Sequence, residues 1–331
     1  MSDYPQMMDF LLHCEDLLIT AHLDPDPDCI GSMLGLYHMC GGAKRGWMLV
    51  LEDEIPLNLY YLPGQELILK PQQLTRQPQA VLLVDCGELG RASRGWLDAH
   101  SDLPFYCIDH HISNRFQGQL AIVEPDASST GEIIAALLQE ARLPLHLEAA
   151  TCLYSAIIAD TGGFRYLNTT SRALALAAIL LACGVDKEQI RIQLFESRSP
   201  AAMAMLKTAF NNLQVIAEGQ LCYTFIRWEE MRQAGALKGD LHNIANYTLH
   251  QRGVKVGLFL EEYEDHVKLS LRGRQGWRVD QLAQAWGGGG HVLAAGCSLP
   301  GSLETVLPQA IAGMTELLNS TKSSAENSAA K

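Results

Sequence analysis

Short apolar runs alternate with segments of helical periodicity between residues 17 and 184. The apolar runs are five to eight residues long and predict buried strands at 17–21, 47–51, 80–87 and 105–111. Apolar positions three and four residues apart predict helices at 29–40, 129–143, 147–160 and 171–184. Strands that alternate with helices predict an α/β domain in which helices cover both faces of a parallel sheet.

The pattern changes after about residue 190, where a polar helical segment contains Pro200. Strand-like runs at 220–228, 254–263 and 266–274 are combined with helical segments at 279–286 and 303–318. They predict a second, smaller α/β domain with a mixed sheet. The expected organisation of the 331 residues is a first domain over 1–190, a linker helix over 191–209, a second domain over 210–318 and a disordered tail over 319–331.

Acidic and histidine side chains collect where the predicted elements end. HLDPDPD at 22–28 follows the first strand, Asp85 follows the third, and Asp109 to His111 end the fourth. Ligands of open parallel sheets bind beyond the carboxyl ends of the strands, so these residues would share a pocket with Asp160, at the end of a helix. Clustered carboxylates repel each other unless cations neutralise them. Oxygen and imidazole donors favour two Mn²⁺ ions, with Mg²⁺ as the alternative.

Each of these aspartates also has a structural alternative. Asp26 and Asp28 could cap the helix that follows them. Asp85 could form a turn, and Asp160 could end its helix before a Gly-Gly turn. Two adjacent histidines after an aspartate at the end of a strand are rarely explained by packing. The metal hypothesis therefore depends on all four clusters occurring together.

The composition narrows the range of functions. A formal net charge of −12 argues against a protein that coats long DNA or RNA, because such binding needs many cationic side chains. Nine cysteines without a C-x-x-C pair indicate reduced, buried thiols and a cytoplasmic protein. The longest apolar run, at 173–185, is too short to cross a bilayer, so no membrane partner is expected.

Four motifs follow one another along the first domain: HLDPDPDCIGS, VDCGELGR, IDHHISN and ADTGGFRY. Together they resemble the motifs of the DHH phosphoesterase superfamily, with the name-giving triplet at Asp109, His110 and His111. VKLSLRGR at 267–274 and GGGGHVLAAGCSL at 287–299 resemble the associated DHHA1 domain. The resemblance covers about residues 15–318, and within the superfamily the chain is most similar to NrnA-type nanoRNases and 3′-phosphoadenosine 5′-phosphate phosphatases.

The resemblance implies a two-metal site in which Asp85 bridges the ions. The implied ligands are, for the first ion, His22, Asp26 and Asp85 and, for the second, Asp28, Asp85, His110 and Asp160. The residues expected to be catalytic are Asp85, Asp109 and His111. His111 would either face the substrate or hold a ligand in place through a hydrogen bond.

The resemblance also implies that the second domain contacts the substrate's far phosphate or sugar. Backbone N–H groups of a glycine-rich segment can approach an anion, and residues 266–279 contain four Lys or Arg and no acid. The expected contacts are Asn114, Asn246, Ser270, Arg272, Gly288, Gly289, Gly290 and His291. A flexible solvent loop is the alternative for the glycine segment. His242 stands where many relatives carry an acid, so contacts near Asn246 would differ.

The implied activity is hydrolysis of short oligonucleotides to nucleoside 5′-monophosphates, and of 3′-phosphoadenosine 5′-phosphate to AMP, with two divalent ions assisting in-line attack. The alternatives are a cyclic or linear dinucleotide phosphodiesterase, a RecJ-like single-strand exonuclease, an inorganic pyrophosphatase and, outside the enzymes, an idle metal-dependent nucleotide binder. The intact ligand set argues against the last of these. Expected partners are short oligonucleotides or nucleotide phosphates rather than long duplexes, and a homodimer stays open.

Overall fold

The computed structural model describes residues 3–329, which belong to two compact units, 1–197 and 198–331. The boundary falls inside the segment expected to be a linker helix. Helix α7 (Lys187–Arg191) and a π-helical turn, Ile192–Glu196, lie in the first unit. Helix α8 (Pro200–Asn211) begins the second unit, with the hydroxyl of Ser199 as its N-cap. The segment 191–209 therefore contains the end of α7 and the π-helical turn of the first unit and most of α8 of the second.

The first unit contains a six-stranded sheet in which all neighbouring strands are parallel. Along the chain, its strands are β1 (Leu17–Thr20), β2 (Met48–Val50), β3 (Ile68–Leu69), β4 (Ala80–Val84), β5 (Phe105–Asp109) and β6 (Leu120–Val123). In the sheet they lie in the order β3-β2-β1-β4-β5-β6. The predicted parallel sheet is confirmed, and β3 and β6 are short strands that were not predicted. The strand order reverses between β1 and β4, which creates a crevice beyond their carboxyl ends.

Helices cover both faces of this sheet. The larger core packs side chains such as Leu17 and Ile19 against α1 (Tyr4–His13), α2 (Pro27–Met39), α4 (Thr130–Glu140), α5 (Leu147–Asp160) and α6 (Ser171–Ala182). On the other face, Leu18 and Val81 pack near α3 (Leu89–Ala92) and a 3₁₀ segment, Trp96–His100. Alternate residues of one strand thus face different cores, which explains the continuous apolar runs.

Helices α2 and α5 approach each other closely at Gly31. A Cβ atom at this position would lie only 2.5 Å from the carbonyl oxygen of Cys152 in α5. Any larger residue would push the helices apart. The contact matters for function because Asp28 lies in the first turn of α2 and Asp160 is the last residue of α5.

The second unit contains a mixed six-stranded sheet in which only β8 and β9 are parallel neighbours. Along the chain, its strands are β7 (Gln214–Ile216), β8 (Leu221–Ile226), β9 (Val256–Glu262), β10 (His266–Gly273), β11 (Gly289–His291) and β12 (Ala294–Pro300). In the sheet they lie in the order β11-β12-β10-β9-β8-β7. The fold class expected for the second domain is confirmed.

One face of the mixed sheet packs on α11 (Val279–Ala285) and α12 (Leu303–Ala329). The other face packs on α8, α9 (Trp228–Ala234) and α10 (Ile244–Tyr247) around the buried ring of Phe259. Helix α12 continues to Ala329, through most of the range in which a disordered tail was predicted; the last two residues lie outside the described range. Within residues 3–329 no helix combines the length and apolarity that crossing a bilayer requires.

Candidate metal centre

The predicted metal ligands meet at the carboxyl edge of the parallel sheet. Strands β1, β4 and β5 end there, and α2 and α5 each contribute one end. These elements bring together all six residues of the metal centre: His22, Asp26, Asp28, Asp85, His110 and Asp160. Asp28 and Asp85 are each only 1% exposed. Charged groups buried to this degree need a partner of opposite charge.

Asp26 both caps α2 and faces the metal centre. Its Oδ1 accepts hydrogen bonds from the backbone N–H groups of Asp28 at 2.9 Å and Cys29 at 3.0 Å. Its Oδ2 lies 3.8 Å from Nε2 of His22, whose Nδ1 is 2.7 Å from the carbonyl oxygen of Leu23. The capping alternative raised by the sequence is thus correct for one oxygen only, because the other is directed at a histidine.

Asp85 lies between two groups of donors. Its Oδ2 is 3.4 Å from Nε2 of His22. Its Oδ1 is 3.5 Å from Nε2 of His110 and 3.5 Å from Nδ1 of His111. The backbone of Asp85 has a φ of +57°, a left-handed conformation that costs a non-glycine residue about 1–2 kcal/mol. The surrounding fold therefore holds this carboxylate in a strained position between the two groups.

The second group consists of Asp28, His110 and Asp160, whose ligand atoms lie within 4.8 Å of one another. Nε2 of His110 is 3.8 Å from Oδ2 of Asp28 and 3.5 Å from Oδ2 of Asp160. Its Nδ1 lies 3.4 Å from the carbonyl oxygen of Ala127. A carbonyl at Nδ1 favours the tautomer in which Nε2 carries the lone pair that a metal needs.

Without a cation, the charged forms of Asp28 and Asp160 are destabilised, whereas the histidines lower the pKa of Asp85 despite its burial. Burial, together with the charges of Asp85 and Asp160, raises the pKa of Asp28 well above its ordinary value. Burial also raises the pKa of Asp160 to about 7. Burial alone would lower the pKa of His22, but its hydrogen bond to Asp85 outweighs this effect and raises the pKa to about 10. The centre thus retains protons near neutral pH, which shows its need for positive charge.

The donors of both groups fit divalent cations. Each group offers a histidine nitrogen and carboxylate oxygens, and Asp85 reaches both. The thiol of Cys29, which was not predicted, has its sulfur within 4.8 Å of ligand atoms of His22 and Asp26. Burial raises the pKa of this thiol, so it stays neutral and is a poor ligand. The remaining oxygen and imidazole donors suit Mn²⁺ or Mg²⁺.

Asp109 and Asn114 support His111. Oδ1 of Asp109 accepts hydrogen bonds from Nδ1 of His111 at 2.7 Å and from its backbone N–H at 3.1 Å. Oδ2 of Asp109 accepts a hydrogen bond from Nδ2 of Asn114 at 2.7 Å. The other side-chain atom of this amide, Oδ1 of Asn114, accepts a hydrogen bond from the backbone N–H of Phe116 at 2.8 Å. These bonds hold His111 in one orientation. The catalytic role predicted for Asp109 and the substrate contact predicted for Asn114 stay predictions.

Three further groups that hold Asp28 were not predicted. The hydroxyl of Ser32 donates to Oδ1 of Asp28 at 3.2 Å. The backbone N–H groups of Thr130 and Gly131, in the first turn of α4, donate to Oδ2 at 2.8 Å and to Oδ1 at 2.9 Å. A signal for the latter two existed, because SSTGE at 128–132 has the serine-to-glutamate spacing of a helix start. Helix N-termini bind anions through their N–H groups.

In the second unit, Ser270 and Arg272 lie on one half-exposed face of β10. Arg272 is opposite Ala294 of β12, which is opposite His291 of β11. Since antiparallel partners face the same side, Arg272 and His291 lie in one row on the same face, about 10 Å apart. Nε of Arg272 donates to Oδ1 of Asn246 at 2.7 Å. The sheet therefore groups these predicted substrate contacts on one face.

The glycine-rich segment is an edge strand rather than a flexible loop. Gly289–His291 forms β11, which pairs with β12. A Cβ atom at Gly288 would lie 2.1 Å from the carbonyl oxygen of Gly296, and Gly290 has a φ of +136°. Both positions therefore require glycine for the packing of the strand itself. Contact of Gly288, Gly289 and Gly290 with substrate stays a prediction.

Two family profiles match the chain. The profile of the DHH family, N-terminal domain, matches residues 16–157, and that of the DHHA1 domain matches residues 218–320. The bifunctional oligoribonuclease and PAP phosphatase NrnA of Thermus thermophilus is 30% identical over 287 residues, which are 86% of this chain and 84% of that protein. The chain belongs to the DHH family.

Further comparisons within the DHH family agree with this assignment. The bifunctional oligoribonuclease and PAP phosphatase NrnA of Bacillus subtilis is 25% identical over 290 residues, which are 86% of this chain and 90% of that protein. The crystal structure of an exopolyphosphatase-related protein from Bacteroides fragilis covers 96% of both chains, with a TM-score of 0.85 and 25% identity. The resemblance to the DHH family that the motifs indicated is confirmed.

Proposed function

We propose that this protein is a two-metal phosphoesterase that hydrolyses short oligonucleotides to nucleoside 5′-monophosphates and 3′-phosphoadenosine 5′-phosphate to AMP. The observation that carries the proposal is the position of Asp85, whose two oxygens face separate groups of donors. Two relatives that span most of the chain are named as bifunctional oligoribonucleases and PAP phosphatases, which supports the substrate class.

Two divalent cations would be held by the two donor groups. The assigned ligands are His22, Asp26 and Asp85 for one ion and Asp28, Asp85, His110 and Asp160 for the other. When bound, such ions act as Lewis acids and lower the pKa of water toward neutrality. Mn²⁺ is favoured over Mg²⁺, because each group includes a histidine nitrogen.

His111 is the residue of this centre that we assign to proton exchange with the substrate. Asp109 accepts its Nδ1–H, which keeps the imidazole in one tautomer and stabilises it when it takes up a second proton. The ring lies beside Oδ1 of Asp85, at 3.5 Å, and therefore at the reacting centre. Its Nε2 can then deliver a proton to the oxygen that leaves phosphorus.

Recognition of the next nucleotide is assigned to the half-exposed side of β10 and the adjacent edge strand β11 in the second unit. Arg272 offers a planar set of N–H donors for a phosphate, and the amide of Asn246 fixes its orientation through Nε. Ser270 and His291 flank it on the same face. These groups suit a phosphate and the sugar that carries it.

The partners of the other arginines in residues 266–279 favour short substrates. Two other arginines of the same basic segment are engaged within the unit. Arg274 donates to the carbonyl oxygens of Val254 at 3.0 Å and Leu249 at 2.6 Å, and Arg278 donates to Asp280 at 2.6 Å. Long single strands need an extended basic groove, which these engaged arginines do not provide.

The proposal is tested by a substrate panel with added Mn²⁺. The panel contains pApA, a five-nucleotide RNA, long single-stranded DNA, cyclic di-AMP, 3′-phosphoadenosine 5′-phosphate and pyrophosphate, each with and without a chelator. We expect chelator-sensitive hydrolysis of pApA, the short RNA and 3′-phosphoadenosine 5′-phosphate. Turnover of long DNA alone would favour a RecJ-like exonuclease, and turnover of pyrophosphate alone a pyrophosphatase. Binding of nucleotides without any turnover would identify an idle binder.

A further inference from the structure

One short segment before and at the start of α4, residues 127–131, contacts several ligands of the metal centre. The carbonyl oxygen of Ala127 lies beside Nδ1 of His110. The N–H groups of Thr130 and Gly131 donate to Asp28. Since the segment is continuous, a shift of its backbone would displace both of these ligands together.

The hydroxyl of Thr130 connects this segment to the bridging carboxylate. It donates to Oδ1 of Asp85 at 2.8 Å, and the side chain of Thr130 is fully buried. Oδ1 is the oxygen that faces His110, whereas Oδ2 faces His22. The bond therefore fixes which oxygen of Asp85 is turned toward which donor group.

Neighbouring side chains hold the segment in place. Oε2 of Glu132, a residue that is 1% exposed, accepts the N–H of Ser128 at 2.7 Å. Oε1 of Glu132 accepts hydrogen bonds from Nε of Arg172 at 2.6 Å and from the hydroxyl of Thr170 at 3.0 Å. Nδ2 of Asn168 donates to the carbonyl oxygens of Ser128 at 2.9 Å and of Asp160 at 3.1 Å. The segment is thus anchored from several sides before any ion binds.

We propose that Thr130 is a positioning residue that sets the rotation of the Asp85 carboxylate and so allows both metal sites to be filled at once. This inference depends on the proposed two-metal function. One lone pair of Oδ1 accepts the Thr130 hydroxyl, so the other is left in a defined direction for the second ion. The backbone N–H of Thr130 is bonded to Asp28 and its hydroxyl to Asp85, so both ends of the residue are held in place.

The test compares Thr130→Val, Thr130→Ser and Thr169→Val. Valine keeps the shape of threonine and removes the hydroxyl, whereas serine keeps the hydroxyl. Thr169 is a matched control, because its buried hydroxyl has no hydrogen-bond partner among residues 3–329. Thr130→Ala is the substitute if the valine variant does not fold. Binding of Mn²⁺ is measured by calorimetry, coupling of the two ions by electron paramagnetic resonance, and turnover on pApA.

For Thr130→Val we expect a loss of about 10–100-fold in affinity for the second Mn²⁺ and a weaker spin-coupled signal, as is usual when a partner of a metal ligand is removed. The value of kcat should fall by a similar factor with little change in KM. Thr130→Ser should recover most of both properties, and Thr169→Val should behave like the unsubstituted protein.

Two results would overturn the inference. One is normal binding and coupling of both ions in Thr130→Val or Thr130→Ala. The other is an equal loss in Thr130→Ser and Thr130→Val, which would show that the loss does not follow the hydroxyl, because serine keeps it. If the unsubstituted protein bound no divalent ion, the proposed function itself would fail, and this inference would fail with it.

Discussion

The two units hold their predicted functional side chains in opposite ways. In the first unit, Asp28 and Asp85 are almost fully buried and accept hydrogen bonds from backbone N–H or hydroxyl groups. In the second unit, Ser270 and Arg272 are half-buried, and His291 is exposed on an edge strand. The first arrangement fixes atoms within a narrow range, as reaction chemistry requires. The second presents donors to whatever part of a ligand lies against the face.

This contrast suggests a division of tasks. A substitution among the buried ligands should affect every substrate alike, because each substrate needs the same reacting centre. A substitution on the half-exposed side of β10 should affect only substrates with a second phosphate or nucleoside. Measurements on two substrate sizes therefore separate the two kinds of site.

The largest effect is expected for Asp85→Asn. Loss of the shared ligand should reduce turnover of every substrate in the panel by about 10³-fold or more, because both ions lose a negative donor. Asp24→Asn is the matched control, since Asp24 is an exposed aspartate of the neighbouring loop with a φ of +56° that asparagine tolerates. Activity is measured as kcat under saturating Mn²⁺. If Asp85→Asn retained this activity, the assignment of Asp85 as the bridging ligand would be wrong.

A smaller and selective effect is expected for Arg272→Gln. Loss of a charge-assisted hydrogen bond to phosphate should lower kcat/KM for pApA by about 10–100-fold. Hydrolysis of a small chromogenic phosphodiester, which has no second nucleotide, should hardly change. Arg278→Gln serves as the control, because Arg278 is paired with Asp280. Equal losses on both substrates would remove the distinction between the two faces.

The smallest effect concerns stability and follows from the pKa shifts in the first unit. Asp160, with a pKa of about 7, and His22, with a pKa of about 10, bind protons more tightly in the folded chain than in the unfolded one. Their contribution to stability is present at low pH and is lost as pH rises through these values. The melting temperature of metal-free protein should therefore fall between about pH 5.5 and pH 8.5.

Added Mn²⁺ replaces these protons and should raise the melting temperature more at the higher pH. A difference of about 4 °C between the two conditions would be measurable by differential scanning fluorimetry, since 1 kcal/mol corresponds to about 2–4 °C in a unit of the size of the first one. An equal shift at both pH values would contradict the link between proton loss and metal binding. The second unit has no part in this prediction.

The sequence alone was sufficient to predict those candidate metal ligands whose side-chain type is unusual at the end of an apolar strand. Aspartates and histidines directly after apolar strands are conspicuous, and all six predicted ligands do meet at one edge of the sheet. The alternation of runs also predicted the parallel and the mixed sheet. Short elements such as β3, with two residues, leave too weak a pattern to be recognised.

Other features could not be predicted, because they depend on tertiary packing. The sequence SSTGE signals the start of a helix, but it does not show that the N–H groups of Thr130 and Gly131 donate to Asp28 or that the Thr130 hydroxyl donates to Asp85. The glycine segment could be read as a loop, since only its pairing with β12 shows why Gly288 and Gly290 lack side chains. The hydrogen bond from Asn114 to Asp109 could not be predicted either, because it depends on how the chain turns between these residues, which are five positions apart.

The close approach of α2 and α5 at Gly31 has a consequence for the order of events during synthesis. Asp28 is translated early, whereas Asp160 emerges from the ribosome more than a hundred residues later. Until α5 has docked, the early aspartates can retain only an incomplete set of ligands for an ion. Metal capture should therefore be a late step in the maturation of this protein, and chains stalled before residue 160 should leave the ribosome without a tightly bound divalent ion.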